Sequence, residues 1–133
     1  ILDNHQSVPF WIKVNNLELF TNTKNNLIRA VIPPSNCEKL MKFLGSKFKY
    51  FIDWSGSLFW IEVLDNEDDK IGQIREFISK NEGYMTIIKK SENFDFKEKI
   101  FSTDKEKLMI SKKIKESFDP KSLFNPGKMY REI

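Results

Sequence analysis

The chain has 133 residues, 40% of them hydrophobic, enough for a single domain that buries roughly 65–70% of its unfolded surface. Its 22 basic and 19 acidic residues are interleaved and leave a net charge of +3, which argues against a nucleic-acid partner. No stretch nears the ~20 consecutive apolar residues of a membrane span, ILDNHQSVPFW has no signal-peptide pattern, and a single cysteine, Cys37, excludes an internal disulfide and fits a reducing compartment such as the cytoplasm.

The first residue is Ile1 rather than methionine, so a fragment of a longer protein is expected. Ser7 and Pro9 predict the start of an N-terminal helix, with Phe10, Trp11, Val14 and Leu17 at helical spacing. The polar run TNTKNN (21–26) ends that pattern and leads into LIRAVI (27–32), a strand by its β-branched content, stopped by Pro33 and Pro34. Ser35 and Glu38 have capping-box spacing, and Cys37, Leu40, Met41 and Leu44 form one stripe of a second helix that Gly45 can stop. FKYFIDW (48–54) and SLFWIEVL (57–64) flank Ser55-Gly56 and predict a short hairpin. The acids of DNEDD suit a helix start, and Ile71, Ile74, Phe77 and Ile78 supply the face of a third helix before Gly83. YMTIIK (84–89) reads as a strand and 91–102 as a loop. Thr103 with Glu106 predicts a second capping box, opening a helix that runs to about Phe118, its last core-facing residue.

The order between the flanking helices is strand, helix, strand, strand, helix, strand. It predicts an α+β, ferredoxin-like (split βαβ) fold: a four-stranded antiparallel sheet with two helices on one face, plus N- and C-terminal helices. Yet both faces of the strands are largely apolar. In the first, Ile28, Ala30 and Ile32 oppose Leu27, Arg29 and Val31; in the third, Phe59, Ile61 and Val63 oppose Leu58, Trp60 and Glu62. A sheet apolar on both sides needs cover on the second, from the flanking helices, another domain or a second copy.

Chemistry-bearing patterns are sparse. The one histidine, His5, lies near the N-terminus, five glycines form neither G-x-G-x-x-G nor a Walker motif, and the DNEDD acids lack EF-hand spacing. Neither a catalytic residue nor a metal site is predicted. Arg29 is the one charge in an apolar strand; a guanidinium fork suits a small carboxylate, and an edge-facing or ion-paired structural arginine is the alternative. Lys89 and Lys90 close the fourth strand and raise the same question.

The tail reads FDPKSLFNPGKMY (118–130). Asp119 before Pro120 stops the helix, and Asn125-Pro126-Gly127 places Pro and Gly as a type II turn prefers. Leu123, Phe124, Met129 and Tyr130 then need a surface to pack on. The pattern F-D-P-x4-N-P-G-K-M-Y resembles the C-terminal signature of FAD-linked oxidases of the vanillyl-alcohol oxidase type. Phe10-Trp11, Leu27-x-Arg29 before Pro33, Trp54-x-Gly56-x-x-x-Trp60, and Gly83-x-x-Thr86 narrow the likeness to the C-terminal half of the FAD-binding subunit of bacterial glycolate oxidase. Ile28 and Ser55 depart from that pattern, where tryptophan and a second glycine are usual.

The resemblance implies that residues 1–133 form the C-terminal cap, or substrate, domain of a longer flavoenzyme. An N-terminal domain of the same chain would hold the FAD, and none is expected on these residues alone. In the full enzyme glycolate or a related 2-hydroxy acid would become the 2-oxo acid, with electrons leaving through an iron–sulfur subunit among other glycolate oxidase subunits. Arg29, Lys89, Trp54 and Trp60 are the implied substrate contacts, and the Asn125-Pro126-Gly127 turn the implied dock toward the flavin domain. The implied location is the bacterial cytoplasm, or the inner-membrane periphery through partner subunits. The alternative expectation is a stand-alone ferredoxin-like module that binds a small ligand or dimerises through its sheet.

Overall fold

A computed structural model describes residues 3–94, 100–102, 104–127 and 130. Its elements are α1 (Asn4–Asn15), β1 (Asn26–Val31), α2 (Cys37–Leu44), β2 (Lys49–Asp53), β3 (Leu58–Val63), α3 (Asp68–Lys80), β4 (Tyr84–Lys89) and α4 (Lys105–Phe118). The four strands form one sheet in the order β2-β3-β1-β4, and every neighbouring pair is antiparallel. This is the α+β arrangement expected from the order of elements, with each helix crossing between two strands that a third separates.

Register decides which residues share a face. Ile28 lies opposite Ile61 and Ile87, and Ala30 opposite Phe59 and Met85, so these side chains line one side. There they meet Leu40 and Leu44 of α2 and Ile71, Ile74 and Ile78 of α3, all fully buried. Phe43 and Phe77 stack between the two helices, their centroids 4.3 Å apart. Asn26, also buried, donates from Nδ2 to Asp68 (2.9 Å) and accepts from the Ser91 amide (3.0 Å), tying β1 to α3 and to the chain beyond β4. Satisfying both ends of a buried amide keeps its desolvation from becoming a penalty.

Several local expectations need correction. α1 begins at Asn4, capped by Asp3, whose Oδ1 accepts from the Gln6 amide (2.8 Å); Pro9 therefore lies inside the helix rather than in its first turn. Leu17 is past the helix, in a left-handed conformation that opens a short 3₁₀ turn, Glu18–Phe20. Ser35 does not cap α2. Pro33 and Pro34 impose a 3₁₀ turn first, and Asn36, the residue before the helix, turns its side chain to the Asn81 carbonyl (3.1 Å). The stripe is also rotated: Leu40 and Leu44 are buried, whereas Met41 is exposed. β2 and β3 are joined by four residues, Trp54 to Ser57, rather than by a two-residue turn. Thr103 and Met129 lie outside the described residues, and Asp104 caps α4 by accepting from the Lys107 amide (2.7 Å).

The stretch expected to be a loop returns to the sheet. Ile100 and Ser102 exchange backbone bonds with β4 (Ile87 N to Ile100 O and Ser102 N to Met85 O, both 2.9 Å), and Phe101 bridges to Thr86. α4 buries none of its side chains, and Phe118, expected to face the core, is 85% exposed because the helix is not docked along its apolar stripe. No described helix is long and apolar enough to cross a membrane.

Candidate functional site

The sheet face opposite α2 and α3 carries Arg29 at its centre. Across the strands Arg29 lies beside Trp60 on β3 and Thr86 on β4, and Trp60 in turn lies beside Phe51 on β2. Leu27 and Leu58 on this face are buried, whereas Arg29, Val31, Phe51 and Trp60 are only partly covered. Residues far apart in the chain thus form one row across the sheet, Phe51, Trp60, Arg29 and Thr86, with a single charge beside two rings.

The hairpin loop completes the row. Trp54 and Ser55 have φ of +50° and +53°, a strained region for residues with a Cβ, and Gly56 follows at +91°. A Cβ on Gly56 would come within 2.9 Å of Cys37 Sγ, so both conformation and close approach to α2 require glycine there. Asp53 Oδ1 accepts from the Trp54 amide (2.7 Å), and the Ile32 amide bonds the Ser57 carbonyl (2.9 Å), pinning both ends of the loop. The result places the Trp54 ring over the Arg29 guanidinium, 5.2 Å from centroid to Cζ, while the indole stays 57% exposed. Three of the four residues expected to contact substrate are therefore brought together, with Arg29 beside both Trp54 and Trp60.

The fourth does not join them. Lys89 pairs with Leu27 at the other end of β1, beyond a bulge, and its ammonium donates to the Thr23 carbonyl. Strand-end geometry has drawn it into holding the 21–26 connection. Glu62 anchors the same connection: it accepts from Thr23 Oγ1 and from Asn25 Nδ2 (2.8 Å) and pairs with Lys49 (3.6 Å). Burial would raise the Glu62 carboxyl, but these donors outweigh it and hold it below the usual carboxylate range.

The Asn125-Pro126-Gly127 turn stands on the exposed tail, with Gly127 at φ +67° as a type II turn requires. Its footing is Asp119. This buried carboxylate accepts from the Leu123 and Phe124 amides (2.9 Å each) and from Lys115, which also donates to the Phe124 carbonyl. Lys115 first, then the Phe124 amide, lower the Asp119 carboxyl to about 2. Leu123 and Phe124 remain exposed, whereas the Tyr130 ring rests on Phe101, 6.0 Å between centroids, on the segment that borders β4.

A feature that no sequence motif announces is an apolar cavity of about 320 Å³ between α1, the 3₁₀ turn and β2, lined by Phe10, Val14, Leu17, Leu19, Phe20 and Phe51 with Lys13 and Glu18. The Phe10, Val14 and Leu17 stripe is visible in the sequence; that it faces Phe51 depends on the left-handed turn at Leu17. Phe20 is buried on this side, with Lys49 5.0 Å from its ring centroid and donating to the Leu19 carbonyl (2.6 Å). Among the described residues no group of three His, Cys, Asp or Glu side chains is placed to hold a metal ion. Comparison with protein-family models, with curated proteins and with solved structures finds no match to this chain.

Proposed function

We propose that this chain is the substrate-side cap of a flavin-dependent oxidase of small 2-hydroxy acids, of the glycolate oxidase type. The observation that carries the reading is Arg29, a half-buried guanidinium that pairs with no carboxylate among the described residues and is framed by Trp54 and Trp60. Such a group is set to accept an anionic ligand, since a small carboxylate can supply the two oxygens its fork needs beside the flanking rings. The tail signature and the apolar side chains left exposed on α1, α4 and 123–124 support a neighbouring domain.

On this reading Arg29 binds and orients the substrate carboxylate, and Trp54 and Trp60 form the walls. The FAD, held by an N-terminal domain, supplies the hydride-accepting chemistry when bound. The described residues offer it no glycine-rich phosphate loop. An iron–sulfur subunit would carry electrons onward, and the assembly would work in the bacterial cytoplasm or at the inner membrane.

The test is the full-length protein, purified and mixed anaerobically with glycolate. Loss of the flavin's visible absorbance on mixing is expected. Arg29→Ala should raise KM at least about tenfold with a smaller change in kcat, as for a charge-assisted contact made equally to substrate and transition state. A full-length protein without flavin, or one whose flavin no 2-hydroxy acid reduces, overturns the reading; unchanged kinetics in Arg29→Ala removes that residue from the site.

A further inference from the structure

The two edges of the sheet are treated differently, and the difference is independent of any flavin. On the β4 side, Ile100–Ser102 takes up the outward Ile87 amide and Met85 carbonyl. On the β2 side nothing does: among the described residues only β3 pairs with Lys49–Asp53, and no other backbone bond reaches these five residues. An open edge strand is a template for another strand, and proteins usually blunt it with a charge, a proline or a bulge. β2 has neither proline nor bulge.

Its charges are arranged to pair with themselves. The sequence Lys49-Tyr50-Phe51-Ile52-Asp53 is symmetric in character about Phe51. If a second β2 is laid antiparallel along the first with Phe51 on the two-fold axis, Lys49 faces the other copy's Asp53, Tyr50 faces Ile52 and Phe51 faces Phe51. Opposed residues of antiparallel strands share a face, so the Lys–Asp pairs and the Phe pair extend the Trp60–Arg29 row, while Tyr50 and Ile52 extend the helix-covered side. One lysine or one aspartate alone would discourage pairing; at these two positions they make every cross-strand pair favourable. Asp53 bonds the Trp54 amide through Oδ1 and makes no ion pair with a described residue. Half of the Lys49 side chain is exposed, although its ammonium also bonds the Leu19 carbonyl and lies 3.6 Å from Glu62 of its own chain, which leaves its outer side to face Asp53 of a second copy.

We infer that the β2 edge is a homodimer interface, joining two copies into a continuous eight-stranded antiparallel sheet about a two-fold axis. The interface is isologous, as two-fold contacts must be. It leaves the Arg29 face free in each copy.

Sedimentation of the purified protein across a concentration series should show a reversible dimer. Asp53→Lys sets lysine against lysine twice in each dimer, and Lys49→Glu sets carboxylate against carboxylate twice; each should weaken association by about tenfold or more. Circular dichroism of each variant checks that the monomer is folded. Two further preparations separate this interface from any other: the double variant Lys49→Glu/Asp53→Lys should recover the dimer, and an equimolar mixture of the two single variants should form the mixed dimer, in which both pairs are again opposite in charge. A protein that is monomeric throughout the series, or a dimer that neither single variant weakens, overturns the inference.

Discussion

The two faces of the sheet are made from similar residues and meet different surroundings. The face bearing Ile28, Phe59 and Ile61 is sealed by two helices whose apolar stripes match it, and its members are fully buried. The face bearing Arg29, Phe51 and Trp60 is covered in patches, by Phe20 and its 3₁₀ turn and by the Trp54 loop. Hydrophobic content alone does not tell a sealed face from an open one. What distinguishes them is how closely the covering elements pack: two helices seal the first face, whereas on the second α1 stands off Phe51 across a cavity and the remaining cover is short and irregular.

That contrast can be broken first by truncation. Phe59→Ala should cost about 3–5 kcal/mol of stability, the range for emptying a packed aromatic position, whereas Trp60→Ala next to it should cost nearer ~1 kcal/mol because the indole is already partly wet. Urea denaturation of both variants checks this, and equal losses would mean the two faces are packed alike. Phe20→Ala should fall between them, at about 3 kcal/mol, since this ring is the buried part of the second face's cover.

The Trp54 loop offers a finer probe. Gly56→Ala should cost about 2 kcal/mol, partly from the left-handed backbone and partly from contact with Cys37 Sγ. In a Cys37→Ala background the contact portion should disappear and the backbone portion persist, so a double-mutant cycle separates them. The Trp54 contribution to protein fluorescence should change in Gly56→Ala more than in Phe59→Val, if the loop alone positions the indole.

The smallest effect is expected from acid. Asp119 has a folded-state pKa of about 2, below an unfolded value of about 3.9. A depressed carboxyl contributes stability above its unfolded pKa and loses it as pH falls through the folded one. The difference in denaturation midpoint between the native protein and Asp119→Asn should thus be constant above pH about 4 and vanish near pH about 2. Glu62→Gln should behave in the same sense on the sheet side, with its difference fading as pH drops below about 4.3. A difference that grows in acid would reverse both assignments.

Much of the fold was legible because period and punctuation agreed. β4 runs from Tyr84 to Lys89 as its composition predicts, and Ile71, Ile74 and Ile78 of α3 are buried as their spacing requires. Sequence and structure part where two local rules compete. Ser35 and Glu38 fit a capping box, but the preceding prolines set the backbone first; Ser7 and Pro9 fit a helix start, but Asp3 supplies an earlier cap. The charged stretch after β4 gives no sign that Ile100–Ser102 pairs with it, since that pairing answers an edge rather than a local preference.

The candidate site was legible as residue types but not as a place. Arg29 and the tryptophans stand out by their chemistry, and only the register of β1 against β3 and the left-handed turn at Trp54 put them together. Lys89 has similar chemistry and is drawn away by the Thr23 carbonyl, a contact set by the bulge beside Leu27.

The strap formed by Ile100–Ser102 bears on how the polypeptide emerges during synthesis. β1 is made first yet occupies the middle of the sheet, so it waits for β3 on one flank and β4 on the other. Even then the outer side of β4 stays bare until residue 102 has left the ribosome. Nascent or prematurely ended chains that stop between these points expose a naked strand on each side, and are the species a chaperone would most need to shield.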